Sequence, residues 1–342
     1  MMKSSTLEID PHKILIVKPS SLGDIVHSLP FLNAIKSRFP ESVIHWVVAK
    51  GFKGLLEGHP MIDRLWVINK DSWKKMNNVK GTISELRTLS QDLKKENYDL
   101  VIDLQGLLRS GVITAATRAR IRVGFKEARE GSRFFYTHKV EGGRDIHAVD
   151  RYLKMAAFLG CALTDISFPF PSCCSSADLS RLTSPVEDYA VLVPGARWTT
   201  KRWPPEQFGE LASLLPLSSV VVGSKSDAGI ASEIVSFSKG KAISLAGETD
   251  LMGLIEVLKR ARCVITNDSG PMHIAAALGI PVFAIFGPTD AVRTGPYGKG
   301  HTVIREEVSC APCFKKKCDD MRCMKNLSAD KVFEIITSKH LI

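Results

Sequence analysis

Three segments carry residue types that can do chemistry. The first is Lys18-Pro19-Ser20-Ser21-Leu22-Gly23-Asp24, directly after an apolar run. Its glycine permits a tight turn or a close backbone approach, and Asp24 would present a carboxylate at the mouth of a crevice. The same residues also read as a plain helix start, with Ser20 or Ser21 as the cap and Asp24 at the positive end of the dipole. The second is Asn267-Asp268-Ser269-Gly270-Pro271-Met272-His273, which opens an alanine-rich stretch. Ser269 and Gly270 at a helix N-terminus offer backbone N–H groups to an anion. His273 falls in the first turn, where a lone histidine more often packs or caps. The third runs from Pro194 to Pro204 and sets Lys201 and Arg202 beside Thr199 and Thr200. Two charges next to two hydroxyls can hold a phosphate; a solvated basic loop with two packing tryptophans is the plainer reading. No G-x-G-x-x-G and no Walker-type P-loop is present, which weighs against dinucleotide and Walker-type functions.

Such loops need strands that end where they begin. Lys13 to Val17, Val43 to Val48, Arg64 to Ile68 and Leu100 to Ile102 read as buried strands. Gly23 to Arg38, Thr82 to Asn97 and Leu107 to Thr117 have helical apolar spacing. Alternation of this kind means βαβ units and a mostly parallel sheet, with ligands at the carboxyl ends of the strands. Residues 171–188 are small, polar and aperiodic and form the best linker candidate. The alternation then restarts. Tyr189 to Val193, Val220 to Gly223, Cys263 to Thr266 and Pro281 to Phe286 are the strands; Pro205 to Leu215, Ala228 to Phe237, Leu251 to Arg260, Pro271 to Leu278 and Ala329 to Thr337 are the helices. The expected layout is two α/β domains, residues 1–175 and 176–342, with the last helix a candidate to pack back on the first.

The chain has 342 residues, enough for two cores, with 44% apolar and 24% charged residues, as in an ordinary globular protein. A net charge of +10 calls for an acidic partner: nucleic acid, an anionic membrane surface or a phosphorylated substrate. No helix-turn-helix, RRM or KH pattern supports nucleic acid. No apolar run is long enough to span a bilayer, and the N-terminus has no secretory pattern, so a cytoplasmic location with reduced cysteines is expected. Four of the eight cysteines, Cys310, Cys313, Cys318 and Cys323, fall within fourteen residues. A structural zinc site is one reading of them; packed reduced thiols or one reversible disulfide is the other.

The pieces ILIVKPSSLGDIVHSLPFLNAIK, YDLVIDLQGLLRSGVIT, DIHAVDRYL, PGARWTTKRWPPEQFGEL and VITNDSGPMHIAAALGIPVFAIFGPTD together resemble glycosyltransferase family 9, the ADP-heptose:lipopolysaccharide heptosyltransferases. The resemblance spans about residues 13 to 299 and rests on the order and separation of the pieces. It implies a GT-B fold, two Rossmann-like domains with mostly parallel sheets facing a cleft. It implies inverting transfer of heptose from ADP-heptose to the inner core of lipid A-linked lipopolysaccharide, onto Kdo-lipid A or its heptosylated product. By resemblance Asp24 is the general base. Thr199, Thr200, Lys201, Asp268, Ser269, Gly270 and His273 bind the donor, with Asp227 and Thr249 near its ribose and adenine. Lys70, Lys74 and Lys75 with Trp73 resemble a basic acceptor loop, and Arg109, Arg118, Arg120 and Lys139 are further acceptor candidates. Each could equally be a solvated charge. No catalytic cofactor is implied. The acceptor lies in a membrane, so a peripheral position on the cytoplasmic face follows, with Trp73 and the lysines at headgroup level. The competing classes are a related transferase using another nucleotide sugar, a basic nucleic-acid-binding protein, and a nucleotide-sugar epimerase, which would need the missing nicotinamide fingerprint.

Overall fold

The computed structural model describes residues 6–69, 79–143, 145–172 and 188–340. The chain divides into two compact units, Met1–Ser172 and Cys173–Ile342. The acceptor-loop residues Lys70, Trp73, Lys74 and Lys75 and most of the linker lie outside the described residues.

The first unit runs β1 (Lys13–Val17), α1 (Leu22–His27), α2 (Leu29–Arg38), β2 (Val43–Ala49), β3 (Arg64–Ile68), α3 (Val79–Lys95), β4 (Leu100–Asp103), α4 (Leu108–Ala116), β5 (Ile121–Phe125), β6 (His138–Val140) and α5 (Ala148–Phe158). Its six strands are parallel, in the order β3-β2-β1-β4-β5-β6. β1 is central and covered on both faces, which is why it reads as an unbroken apolar run. Its Leu15 and Val17 join Leu93 of α3 and Ile113 of α4 in one cluster. Ile14 and Ile16 point the other way and are equally buried.

One expected helix is two. The periodicity from Gly23 to Arg38 is real, but Ser28 interrupts it, and its hydroxyl donates to the Ile25 carbonyl at 2.8 Å. Pro30 sits in the first turn of α2, where its missing N–H costs nothing. Within a continuous helix it would break the hydrogen-bond ladder.

The second unit runs β7 (Tyr189–Val193), α6 (Pro205–Leu214), β8 (Ser218–Val221), α7 (Ala228–Phe237), β9 (Ala242–Ser244), α8 (Leu251–Lys259), β10 (Cys263–Asn267), α9 (Gly270–Ala277), β11 (Val282–Ile285), α10 (Ala291–Thr294), β12 (Thr302–Ile304), α11 (Arg322–Lys325) and α12 (Ala329–Thr337). Its six strands are again all parallel, in the order β12-β11-β10-β7-β8-β9. Phe208 and Leu211 of α6, Ile234 of α7, and Val332 and Ile336 of α12 pack in one cluster with Leu192, Val221, Ile265, Phe283 and Ile304 from the strands. The last helix thus commits its apolar stripe inside its own unit. Gly209 lets α6 approach α7, since an added Cβ would stand 2.4 Å from Phe237 Cβ and 2.7 Å from the Ile234 carbonyl oxygen.

The two sheets share one topology. Counted from the first strand of each unit, both follow the order 3-2-1-4-5-6, so each has a switch point beside its first strand. In parallel α/β sheets ligands bind at that point, beyond the carboxyl ends of the strands.

Candidate active site

In the first unit the switch point lies between β1 and β4. Asp24 enters it from the first turn of α1. Its Oδ2 accepts from the Ser21 amide at 3.0 Å and from the Ser21 hydroxyl at 2.6 Å. The capping and functional readings of this segment therefore coincide, because the cap itself fixes the carboxylate. The Asp24 side chain remains 40% exposed, open to an incoming hydroxyl. Lys18 follows β1, is buried, and places Nζ 3.8 Å from Asp24 Oδ1. Asp103 ends β4 fully buried. Its carboxylate accepts from the Gln105 and Gly106 amides at 2.8 and 2.9 Å and from the Tyr136 hydroxyl at 2.7 Å. Burial still pushes its pKa above the ordinary aspartate value. α5 brings Tyr152 up to Lys18 and sets the His147 ring 4.9 Å from that of His27.

The acceptor candidates are not all brought together. Arg109 is exposed at the start of α4, on the same carboxyl edge of the sheet as Asp24. Arg118 and Arg120 lie beyond the far end of α4 and before β5, hence on the opposite edge. The reason is geometric: a helix returning between parallel strands carries its two ends to opposite edges. Lys139 is exposed on the outermost strand, β6.

In the second unit the switch point lies between β7 and β10. The segment after β7 makes a short 3-10 turn over Thr199–Lys201. Lys201 Nζ donates to Asp268 Oδ2 at 2.6 Å and lies 4.8 Å from the centre of the Trp198 ring. The Thr289 hydroxyl donates to the same Asp268 oxygen at 2.6 Å. Asn267, at the end of β10, ties the two loops together. Its Oδ1 accepts from the Trp203 amide at 3.1 Å and its Nδ2 donates to the Pro194 carbonyl at 2.7 Å. Ser269 is the N-cap residue of α9, Gly270 begins that helix, and His273 is buried in its first turns. Asp227 accepts from the Ser224 amide and hydroxyl at 2.9 and 2.6 Å. It lies over Gly195, where an added Cβ would stand 3.0 Å from its Oδ2. Thr249 is half-buried in the loop after β9, just before the α8 cap residue Asp250. Thr199 is exposed, whereas Thr200 is buried and donates to the Lys315 carbonyl at 2.9 Å. Thr200 is thus turned to structure rather than toward a ligand. Every one of these loops follows the carboxyl end of a strand.

Thr289, and Trp198, which the sequence offers only as a packing residue, join Lys201 in this cluster. Thr289 was detectable only as part of a Gly-Pro-Thr-Asp turn after a strand.

The cysteine-rich segment folds against this loop. Cys310, Cys313, Cys318 and Cys323 line one small cavity with Thr200, Pro288 and Met321. The Cys313 and Phe314 amides donate to the Pro288 carbonyl at 3.1 and 2.8 Å, and the Met321 amide donates to Cys318 Sγ at 3.5 Å. Burial pushes the Cys323 thiol up, and its three neighbours add to the shift. Among the described residues no group of three or more His, Cys, Asp or Glu side chains is placed to hold a metal ion. The four cysteines share one cavity, Cys310 being exposed and Cys323 buried. Cys161 and Cys263 are buried, each thiol pushed up to about 12 by burial.

Two parallel six-stranded sheets of one topology, with an anion-type loop pair at the second, are the layout of the GT-B class. The family model Glycosyltransferase family 9 (heptosyltransferase) matches residues 86–323. The chain belongs to that family, and the fold class and family expected from the sequence are both borne out. Lipopolysaccharide heptosyltransferase 1 of Pseudomonas aeruginosa is 33% identical over 321 residues, covering 90% of this chain and 87% of the relative. Its counterpart in Escherichia coli K12 is 30% identical, covering 86% and 93%. Among solved structures, E. coli heptosyltransferase WaaC with ADP-2-deoxy-2-fluoro heptose superposes with a TM-score of 0.78 at 27% identity, covering 95% of this chain and 99% of that one.

Proposed function

We propose that the chain transfers heptose from ADP-heptose to the inner core of lipid A-linked lipopolysaccharide, with inversion at the anomeric carbon. The observation that carries this is the pair of switch-point sites: a capped, partly exposed carboxylate in one unit and a Lys201–Asp268–Thr289 cluster beside a helix N-terminus in the other. The relatives' names supply the donor and acceptor class.

In this scheme the acceptor hydroxyl gives its proton to Asp24 as its oxygen attacks the anomeric carbon. The bond from that carbon to the β-phosphate oxygen breaks in the same in-line step, and ADP leaves. One displacement needs one base and a stabilised leaving group, and no enzyme nucleophile. Lys201 supplies positive charge to the diphosphate, and the α9 N-terminus at Ser269 and Gly270 supplies N–H donors. Asp227 and Thr249 flank the nucleoside. No catalytic cofactor is required. The acceptor is Kdo-lipid A or its heptosylated product, bound with help from Arg109, Lys70, Lys74 and Lys75. The surplus of +10 charges suits an anionic membrane surface and a phosphorylated glycolipid rather than nucleic acid. Among the described residues no helix is long and apolar enough to cross a membrane, which agrees with peripheral binding on the cytoplasmic face.

The decisive experiment is transfer assayed with ADP-heptose against Kdo-lipid A and its heptosylated product. One acceptor should turn over and Asp24→Ala should nearly abolish that turnover while leaving ADP affinity intact. Near-normal turnover by Asp24→Ala overturns the assignment of the base. Turnover with another nucleotide sugar only would overturn the donor.

A further inference from the structure

Lys18 is charged, buried and has no part in the scheme above. It is 2% exposed, directly after the central strand β1. Its own backbone is pinned, because Trp46 Nε1 donates to the Lys18 carbonyl at 3.2 Å. Its Nζ donates to the Leu104 carbonyl at 3.4 Å, lies 5.2 Å from the centre of the Tyr152 ring, and stands 3.8 Å from Asp24 Oδ1. A buried ammonium needs a compensating negative charge. Asp103 is near, but its carboxylate is already engaged by two amides and the Tyr136 hydroxyl. Asp24 is the carboxylate in ion-pair range.

We propose that Lys18 is the positioning residue for the base: its fixed positive charge orients Asp24 and keeps it a carboxylate. This rests on the reading of Asp24 as the base. The division of labour follows from the distances. Ser21 holds Oδ2 by two hydrogen bonds, and Lys18 stands off Oδ1 at a distance where charge acts without a direct hydrogen bond. The ammonium is also secure. Burial pulls its pKa down, but Asp24, Tyr152 and Asp103 outweigh that, and it stands above the ordinary lysine value. The ionisable groups around the pair are Asp103 on β4, Tyr152 and Arg151 on α5, and the His27–His147 ring pair where α1 meets α5. A lone strut between β1, Leu104 and Tyr152 would need no charge, and this separates the two roles by experiment.

The test is the pH dependence of heptosyl transfer between pH 3 and 9 for the full chain and its Lys18→Met, Lys18→Arg and Asp24→Asn variants. Lys18→Met should lose tenfold or more in kcat and bring the acidic limb up by about one pH unit or more, as expected for loss of an adjacent opposite charge. Lys18→Arg should keep the wild-type limb. An unmoved limb in Lys18→Met, with both lysine variants equally slow, overturns the proposal. Asp24→Asn should be inactive; if it turns over, the base reading itself has failed, a distinguishable result. Should Lys18→Met not fold, the Asp24 carboxyl can be titrated directly in the wild-type protein by carbon-13 NMR. A value below the ordinary ~3.9 supports the proposal, and one at or above it overturns it.

Discussion

On the proposed reading of the donor site, Lys201 serves two partners. It holds the buried Asp268 at 2.6 Å, with Thr289 on the same oxygen, so its ammonium is already placed before any phosphate arrives. A diphosphate then meets a positioned charge and not a flexible one, which lowers the ordering cost of binding. Lys201→Ala should raise the Kd for ADP about tenfold to a hundredfold, the range for a lost charged hydrogen bond of roughly 1.5–3 kcal/mol. Calorimetric titration with ADP reads this directly, and an unchanged Kd with unchanged kcat would remove Lys201 from the donor site. Lys201 and Asp268 were legible because charged residues in loops after apolar runs stand out. Trp198 and Thr289 were not, because a tryptophan in a turn and a threonine after proline have many ordinary duties. Thr200 shows the converse: adjacent hydroxyls look alike in sequence, yet only the fold shows that this one bonds the Lys315 carbonyl.

At the level of elements most inner strands were legible and the shortest edge strands were not; the edge strand β3 was read as a strand, whereas β5, inside the first sheet, was missed. β1, β4, β7 and β10 are buried on both faces and spell continuous apolar runs. β6 is His138-Lys139-Val140 and β9 is Ala242-Ile243-Ser244, three residues each at a sheet edge. Half-exposed strands of that length carry no period to detect. α5 was invisible as a helix although its sequence was part of the family resemblance, and it supplies the Tyr152 that lines the Lys18 pocket. The α6–α7 contact allows a quantitative test. Gly209 has no room for a methyl against Phe237 and the Ile234 carbonyl. Gly209→Ala should therefore destabilise the second unit by about 1–3 kcal/mol through overpacking, despite alanine's better helix propensity. Urea unfolding would show it, and an unchanged or higher midpoint would mean the helices separate at no cost.

For the whole molecule, three histidines with lowered pKa values shape the response to acid. His45, His59 and His301 all have pKa values below the ordinary 6.5, with burial the leading cause. Burial favours their neutral forms in the folded state, and it outweighs the Pro169 carbonyl oxygen, 3.0 Å from His59 Nε2, which pulls the other way. The unfolded chain then binds more protons, so stability rises with pH. The histidine contribution is complete above the unfolded value and is lost as pH falls below it toward the folded values. The thermal midpoint should drop between pH 7 and 5, and His59→Gln should flatten that slope. A midpoint that stays level or rises over this interval would contradict the assignment.

The shared strand order has a consequence in time as well as in space. β1 pairs with β4 through Ile14 and Leu100, and β7 pairs with β10 through Ala190 and Cys263. Each site is therefore closed by strands far apart in the chain, contacts that form slowly because a long loop must be closed first. During synthesis the first unit has its Ser21–Asp24 cap early, but the floor of its crevice emerges only with Leu100–Asp103. A ribosome-held fragment ending before β4 should expose the apolar edge of β1 and depend on chaperones. Completion of each sheet and assembly of its own crevice then become one event in the life of the nascent chain.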